Sequence, residues 1–320
     1  MDLTVIICTW NRGKSLAVVL ESLAASVVPE RLQWEVLVVD NNSKDDTRTL
    51  CESFIARYPK RFRYLFHGTQ GKTYALNAGI REAHSEYLAL TDDDLTVDPH
   101  WVAEIYETFQ RYDCAAIGGK IVPVWSCKQP SWIVFEGPYR HPAYGGIVNF
   151  DKGDSPLKLT ATAIGANMGL RKSVYEKHGP YRTDLNRIND LLGGEDTEYC
   201  RRIMRAGETL MYAPTAIVYH PVEHYRTTRK YFRSMAFHYG RWSILVEGVP
   251  DGAKCFFGVP RYLFSIGLWF FGKWIFSRGE QRRSFYKLEL FQTFGKMVES
   301  RKWLRNRPLR HQVQGLHATK

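Results

Sequence analysis

From residue 3 onward, two hydrophobic periods alternate along the chain. Leu3 to Cys8 is a short apolar run of strand character, after which Leu16, Val19, Leu20 and Leu23 recur at helical spacing on one face. Glu35 to Val39 has the composition of a buried strand ending at Asp40, the Asn42-Ser43 turn can cap a helix running through Tyr58, and Phe62 to Phe66 is the next strand. Thr73 to Ala83 has a helical pattern, Tyr87 to Leu90 is a fourth strand, and a helix after Pro99 turns Val102, Ile105, Tyr106 and Phe109 inward. This rhythm predicts an α/β chain built on a mainly parallel sheet with helices on both faces.

The pattern breaks between Pro123 and Asp154 into a Pro-, Gly- and aromatic-rich stretch that reads as functional loops. In it Trp132 and Tyr139 could stack on a sugar ring or form small packing clusters. Order returns with Leu159 to Leu170, a helix starting near Glu195-Asp196, and a short strand from Ala216 to His220. No linker, repeat or low-complexity tract divides the 320 residues, a length that suits one large domain or two modest ones.

Composition adds two points. Six cysteines are scattered without a C-x-x-C pair, so they read as reduced core residues rather than a zinc site or disulfide framework. The N-terminus enters its first strand without a basic leader or cleavage site, and a cytoplasmic protein is expected.

In open sheets of this kind, ligands bind beyond the carboxyl ends of the strands, where Thr9 to Arg12, Asp40 and Asp92 to Asp94 fall. Three adjacent carboxylates repel one another unless water or a cation compensates. Mg²⁺ or Mn²⁺ there could hold a nucleotide diphosphate as a leaving group; the other reading is an N-terminal cap for the helix after Pro99. Asp40 could accept a hydrogen bond from a base imide or a ribose hydroxyl, or cap a helix. Glu195-Asp196 opens a helix whose arginines lie toward its far end, which suits the helix dipole, and a carboxylate there could also deprotonate an acceptor hydroxyl. His220 ends a strand as either a metal ligand or a structural histidine.

VIICTWNR at 5 to 12, VVDNNSKDDT at 38 to 47, TDDD at 91 to 94, GANMGLRKSVYEKHGPY at 165 to 181 and GGEDTEYCRRIMRAG at 193 to 207 together resemble family 2 glycosyltransferases, over roughly residues 3 to 225. The resemblance implies a GT-A fold and an inverting, metal-dependent transfer from a nucleotide-diphosphate sugar. It assigns Thr9, Asn11 and Asp40 to the nucleoside, with Arg12 a looser member of that group, and Lys72 to the base or diphosphate. Asp93 goes to the ribose side or the metal's surroundings, Asp94 to the metal, and Asp92 to a supporting or purely structural role. Asp196 becomes the general base, Glu195 a neighbour of the sugar, and His220 the extra metal ligand that some members carry. Trp10 stands where Tyr is common, and Lys72 where Arg is frequent. The implied organisation is a catalytic domain over 1–225, its donor-binding half about 1–120 and its acceptor-binding half about 121–225, followed by a helical extension over 226–320.

Charge sets that extension apart. Of the net +11, residues 251–320 carry most, with 14 Lys and Arg against four Asp and Glu. YLFSIGLWFFG at 262 to 272 is apolar but short of the roughly 20 residues of a membrane span. Its aromatics, followed by Trp274, Arg278, Arg282, Arg283 and Lys287, fit an interfacial helix on an anionic membrane surface. A helical subdomain packing its own aromatics, or a dimer contact, is the other reading. A tail on the cytoplasmic leaflet would suit a glycan or lipid-linked acceptor, in polysaccharide or glycolipid synthesis. Two rival functions fit less well. A sugar-nucleotide pyrophosphorylase would need a Gly-rich basic loop where this chain reads TWNRGKS. A nucleic-acid or polyanion binder using Arg226, Arg229, Lys230 and Arg233 leaves the acidic crevice unexplained, so no nucleic-acid partner is expected.

Overall fold

A computed structural model describes residues 1–185 and 193–305, so the basic residues beyond Arg305 lie outside the described residues. The first half runs β1 (Leu3–Thr9), α1 (Gly13–Ala24), β2 (Trp34–Asp40), α2 (Thr47–Arg57), β3 (Phe62–Phe66), α3 (Lys72–Glu82), β4 (Tyr87–Thr91), β5 (Thr96–Val97) and α4 (Trp101–Arg111). It continues with β6 (Ala116–Trp125), β7 (Leu157–Lys158), β8 (Asn167–Arg171), α5 (Lys172–His178), α6 (Glu195–Arg205) and β9 (Leu210–Val222). Three long helices follow: α7 (Arg229–Glu247), α8 (Arg261–Phe276) and α9 (Glu280–Arg305).

Helix α1 buries Gly13, Leu16, Val19, Leu20 and Leu23, the predicted face. All seven residues of β2 are buried, as a strand covered by helices on both sides requires. Glu35 within it is tolerated because its carboxylate accepts hydrogen bonds from the Thr4 hydroxyl and the Arg63 guanidinium. The strands form one sheet in the order β3-β2-β1-β4-β8-β6-β9-β5, with β7 on β9. The β3-β2-β1-β4 portion is parallel, while β8 is antiparallel to both β4 and β6. Crossovers leave β1 toward β2 on one side while β4 lies on the other, so the switch point of the sheet falls between β1 and β4.

Several local expectations are corrected. Asn42-Ser43 does not cap α2; Asn42 takes a left-handed backbone (φ 66°), and the Ser43 N–H donates to Asp40 Oδ1, so these residues serve a loop and α2 begins four residues later. The acidic run does not cap α4, because β5 intervenes and the Asp98 carbonyl and carboxylate take the Trp101 and His100 N–H groups. Strand β6, unmarked by the alternation, runs ten residues through Pro123, and β9 runs thirteen rather than five. The cysteines are free, yet Cys255 is exposed rather than a core residue.

The chain divides into two compact units, one of Met1–Val124 with Val148–Pro221, the other of Trp125–Ile147 with the residues from Val222 on. The second unit has its own core, in which Trp132, Tyr144, Phe232, Ala236 and Leu288 are buried. Trp132 is thus a packing residue there and not a surface for a sugar: its ring meets Phe232 edge-on, and its carbonyl accepts the Tyr144 hydroxyl. Helices α7 and α9 approach until their backbones touch. A Cβ on Gly240 would lie 1.9 Å from the Gln292 carbonyl oxygen, and one on Gly295 would lie 1.9 Å from that of Phe237.

Gly240→Ala and Gly295→Ala should therefore each destabilise the protein by about 3 kcal/mol through overpacking, more than the ~1 kcal/mol that alanine gains in helix propensity. Urea unfolding with an unshifted midpoint in either variant would refute the backbone contact.

Candidate active site

Strand register assembles the polar clusters. Thr9 pairs with Asp40 across β1 and β2, and Ile7 with Thr91 across β1 and β4, so the segments leaving β1 and β4 emerge side by side. Asn11 follows β1 in a left-handed conformation (φ 52°) that asparagine tolerates better than most residues. Its Oδ1 accepts the Lys44 N–H at 2.6 Å, and its own N–H donates to Ser43 Oγ at 2.9 Å. Asp40 is buried and accepts from the Ser43 N–H and, at 2.7 Å, from the Tyr64 hydroxyl, so it braces this loop rather than capping a helix.

Arg12 crosses from this side to the acidic run. One guanidinium nitrogen lies 3.0 Å from both Asp93 Oδ1 and Asp94 Oδ2. Burial works against that cation, but the two carboxylates hold its pKa above the usual arginine range. Burial lifts the Asp93 carboxyl above its ordinary value despite Arg12 and the Thr9 hydroxyl, both of which draw it down. Asp93 therefore faces Arg12, while Asp94, which Arg12 also touches, gathers with Asp92 and His220, each of the three offering a ligand atom within 4.8 Å of the others.

His220 reaches them because β9 pairs antiparallel with β5, Tyr219 opposite Thr96. Its side chain is 3% exposed, with Nε2 3.5 Å from Asp94 Oδ1. Nδ1 lies 3.0 Å from the Pro221 carbonyl, an acceptor only, so Nδ1 donates to it and holds the ring with Nε2 toward Asp94.

The opposite wall comes from α3 and α6. Lys72 Nζ lies 2.6 Å from Asp92 Oδ1 and 3.8 Å from Glu195 Oε1. Burial disfavours the ammonium, yet Asp92 and Glu195 keep it charged and raise its pKa. In return Lys72 overcomes the burial of Asp92 and holds that carboxyl below its usual range, whereas for Glu195 burial prevails and raises the pKa. Gly194 precedes α6 in a left-handed turn (φ 86°). Asp196 then accepts the Gly165 N–H at 2.8 Å and the Thr197 N–H at 2.6 Å, which locks its rotamer. Lys72, Asp92, Glu195 and Asp196 line one cavity with Cys8, Gly165 and Tyr181. Burial pushes the Cys8 thiol up to about 12, which keeps it inert.

The chain pattern gave no sign of several supporting residues. Asn41 Oδ1 accepts the Gly71 N–H, and its amide donates to the Thr69 carbonyl, shaping the turn into α3 that carries Lys72. Asn77 holds Tyr181 by both its N–H and its carbonyl, and Asn167 bonds the Trp101 indole and the carbonyls of Lys120 and Ala216. For Asn77 a usable signal was present, an amide among the inward positions Ala75, Leu76, Ala78 and Ile80 of its helix.

Comparison with known proteins agrees with this architecture. The family described as Glycosyl transferase family 2 matches residues 4–179. The chain is 28% identical over 264 residues to succinoglycan biosynthesis protein ExoM of Rhizobium meliloti (strain 1021), covering 77% of this chain and 80% of that one. It is 25% identical to the glucosyl-dolichyl phosphate glucuronosyltransferase of Haloferax volcanii, covering 71% of each. Among solved structures it is similar to the mannosyltransferase PcManGT from Pyrobaculum calidifontis in complex with GDP-Man and Mn²⁺, with a TM-score of 0.56 at 15% identity over 93% of this chain and 73% of that one. The chain belongs to glycosyl transferase family 2 and has the GT-A fold.

Replacing Lys72 by Met leaves Asp92 and Glu195 facing each other without their cation, and should cost about 2 kcal/mol of stability. Thermal unfolding should show the loss reduced by Mn²⁺ and largely absent in Lys72→Arg. An unchanged midpoint for Lys72→Met in metal-free buffer would refute the clamp.

Proposed function

We propose that this glycosyltransferase moves a sugar from a nucleotide-diphosphate sugar to an acceptor hydroxyl with inversion, using Mg²⁺ or Mn²⁺ held by Asp94 and His220, with Asp92 as a third ligand. The observation that carries the reading is the convergence of Asp92, Asp94 and His220 within 4.8 Å, on a crevice that Asp92 shares with Asp196. Two carboxylates and an imidazole are a fitting donor set for such an ion, and the approach of His220 Nε2 to within 3.5 Å of Asp94 supports it. When bound, the ion supplies charge neutralisation for the departing diphosphate.

The chain's own residues do the rest. Thr9, Asn11, Arg12 and Asp40 hold the nucleoside, Asp93 serves the ribose side, and Lys72 lies by the diphosphate. Asp196, gripped by the Gly165 and Thr197 amides, takes the proton of the acceptor hydroxyl. The hydroxyl oxygen bonds to the anomeric carbon on the face opposite the leaving group as the bond to the diphosphate oxygen breaks, which is a single inverting displacement. Glu195 stays beside the transferred sugar. Holding both substrates in this geometry supplies much of the acceleration.

The acceptor is a glycan or a lipid-linked glycan at the cytoplasmic face of a membrane. The relatives named for succinoglycan biosynthesis and for a dolichyl phosphate substrate support that class. Residues up to about 120 serve as the donor half of the catalytic domain and 121–225 as the acceptor half, apart from Trp125–Ile147, which packs with the extension that takes up the residues from 226 on.

Asp196→Asn should keep its thermal stabilisation by Mn²⁺ with UDP, GDP or dTDP, while transfer, followed as nucleotide release with the pair found by a nucleotide-sugar screen, falls about 10²–10⁴-fold. Wild-type turnover in that variant would sink the base assignment. Asp94→Asn and His220→Ala should lose the metal-dependent part of the nucleotide stabilisation, and stabilisation equal to wild type in both would remove the metal site.

A further inference from the structure

Helix α8 reads RYLFSIGLWFFGKWIF, yet of its sixteen residues only Leu263 and Gly267 are buried. Leu268 is 72% exposed, Trp269 54% and Phe276 86%. One side of the helix rests on α9, where Gly267 approaches Thr293 and Met297. A helix apolar on nearly all sides is normally covered, and an exposed apolar patch of this kind marks an interaction surface. Among the described residues no helix is long and apolar enough to cross a membrane. At its helical rise α8 is about 24 Å long, short of the ~30 Å hydrocarbon core.

Cations gather along this helix and its neighbours. Lys273 lies over the Trp269 ring at 5.5 Å, Lys287 over Trp274 at 4.8 Å, and Arg282 over Tyr286 at 5.9 Å. Burial and the nearby Arg233, Arg229 and Arg283 together push the Lys287 ammonium below its ordinary range. Glu280, at the start of α9, is engaged by Arg229 at 2.6 Å. Like charges crowded at the rim of an apolar helix call for an anionic partner. An isologous contact with a second copy would set the same cations against one another.

We propose that α8 and the cationic rim of α7 and α9 dock the protein on the anionic face of a lipid bilayer, α8 lying in the interface with Leu268, Trp269 and Phe276 immersed. The lysines and arginines then meet lipid phosphates. This deepens the membrane-face acceptor reading and rests on it for its biological role, while the docking itself is measured separately.

The experiment is co-sedimentation of the full chain with phosphatidylcholine vesicles, with and without phosphatidylglycerol. The wild type should sediment with the anionic vesicles and be released by high salt. Leu268→Glu combined with Phe276→Glu should abolish binding, and Arg283→Gln combined with Lys287→Gln should weaken it roughly 25-fold. Vesicles should shift the tryptophan emission to the blue in the wild type and much less in Trp269→Phe. Both double variants alter side chains at the surface or its rim and should unfold at the wild-type temperature, with Mn²⁺-nucleotide stabilisation intact. A wild type that ignores anionic vesicles overturns the proposal, as do variants that bind like it. A dimer in sedimentation equilibrium that Leu268→Glu with Phe276→Glu dissolves, without vesicle binding, would assign the face to a second copy. Failure of the wild type to respond to Mn²⁺ and nucleotide would overturn the catalytic reading and leave the docking result standing.

Discussion

The catalytic unit is organised around a concentration of negative charge that the protein only partly neutralises. Asp92, Asp93 and Asp94 leave β4 together, Glu195 and Asp196 open α6, and Lys72 and Arg12 lie against them. Each cation touches two of these carboxylates or lies close to them, so each holds a loop as well as a charge. Charges so crowded and desolvated are costly unless paired. The pairing divides the acidic run: Lys72 takes Asp92, Arg12 spans Asp93 and Asp94, and Asp92 and Asp94 each bring a carboxylate oxygen within 4.8 Å of a His220 ring nitrogen.

The sheet makes this division geometrically stable. Parallel pairing of β1 with both β2 and β4 opens the crevice between the carboxyl ends of β1 and β4, and the antiparallel β5–β9 pair returns His220 to it from 126 positions beyond Asp94. The Thr9–Asp40 and Ile7–Thr91 registers are held by buried β-branched and leucine side chains on both faces, so the polar termini inherit the rigidity of the core. Asn41, Asn77 and Asn167 extend that rigidity into the loops by satisfying backbone groups that would otherwise be buried without partners.

The second unit follows a different logic. Its aromatic core and the backbone contact of α7 with α9 give a firm base, from which α8 projects aromatic side chains into solvent beside a row of cations. The helix pair supplies shape through glycine. The exposed helix retains apolar surface that its own core does not use.

Much of the catalytic unit was legible in the chain. The helical face of Leu16, Val19, Leu20 and Leu23 and the apolar run Val36 to Val39 of β2 are local patterns, and so is the placing of polar clusters just past strand ends. These follow from periodicity, because burial selects side chains one element at a time. The ordered set of motifs likewise made the family readable. Sequence spacing could not show which acid faces which cation. Asp92 and Asp94 gather with His220 while Arg12 bridges Asp93 and Asp94, because the partners come from α3, β9 and the first turn, far away in the chain. Nor could it separate Trp132 as a core residue from Trp269 as an exposed one, since both are aromatics in apolar surroundings and only packing decides which is covered. Local pattern determined the elements and the chemistry available at their ends; tertiary pairing alone determined which charges meet, because a charge is compensated by its neighbours in space.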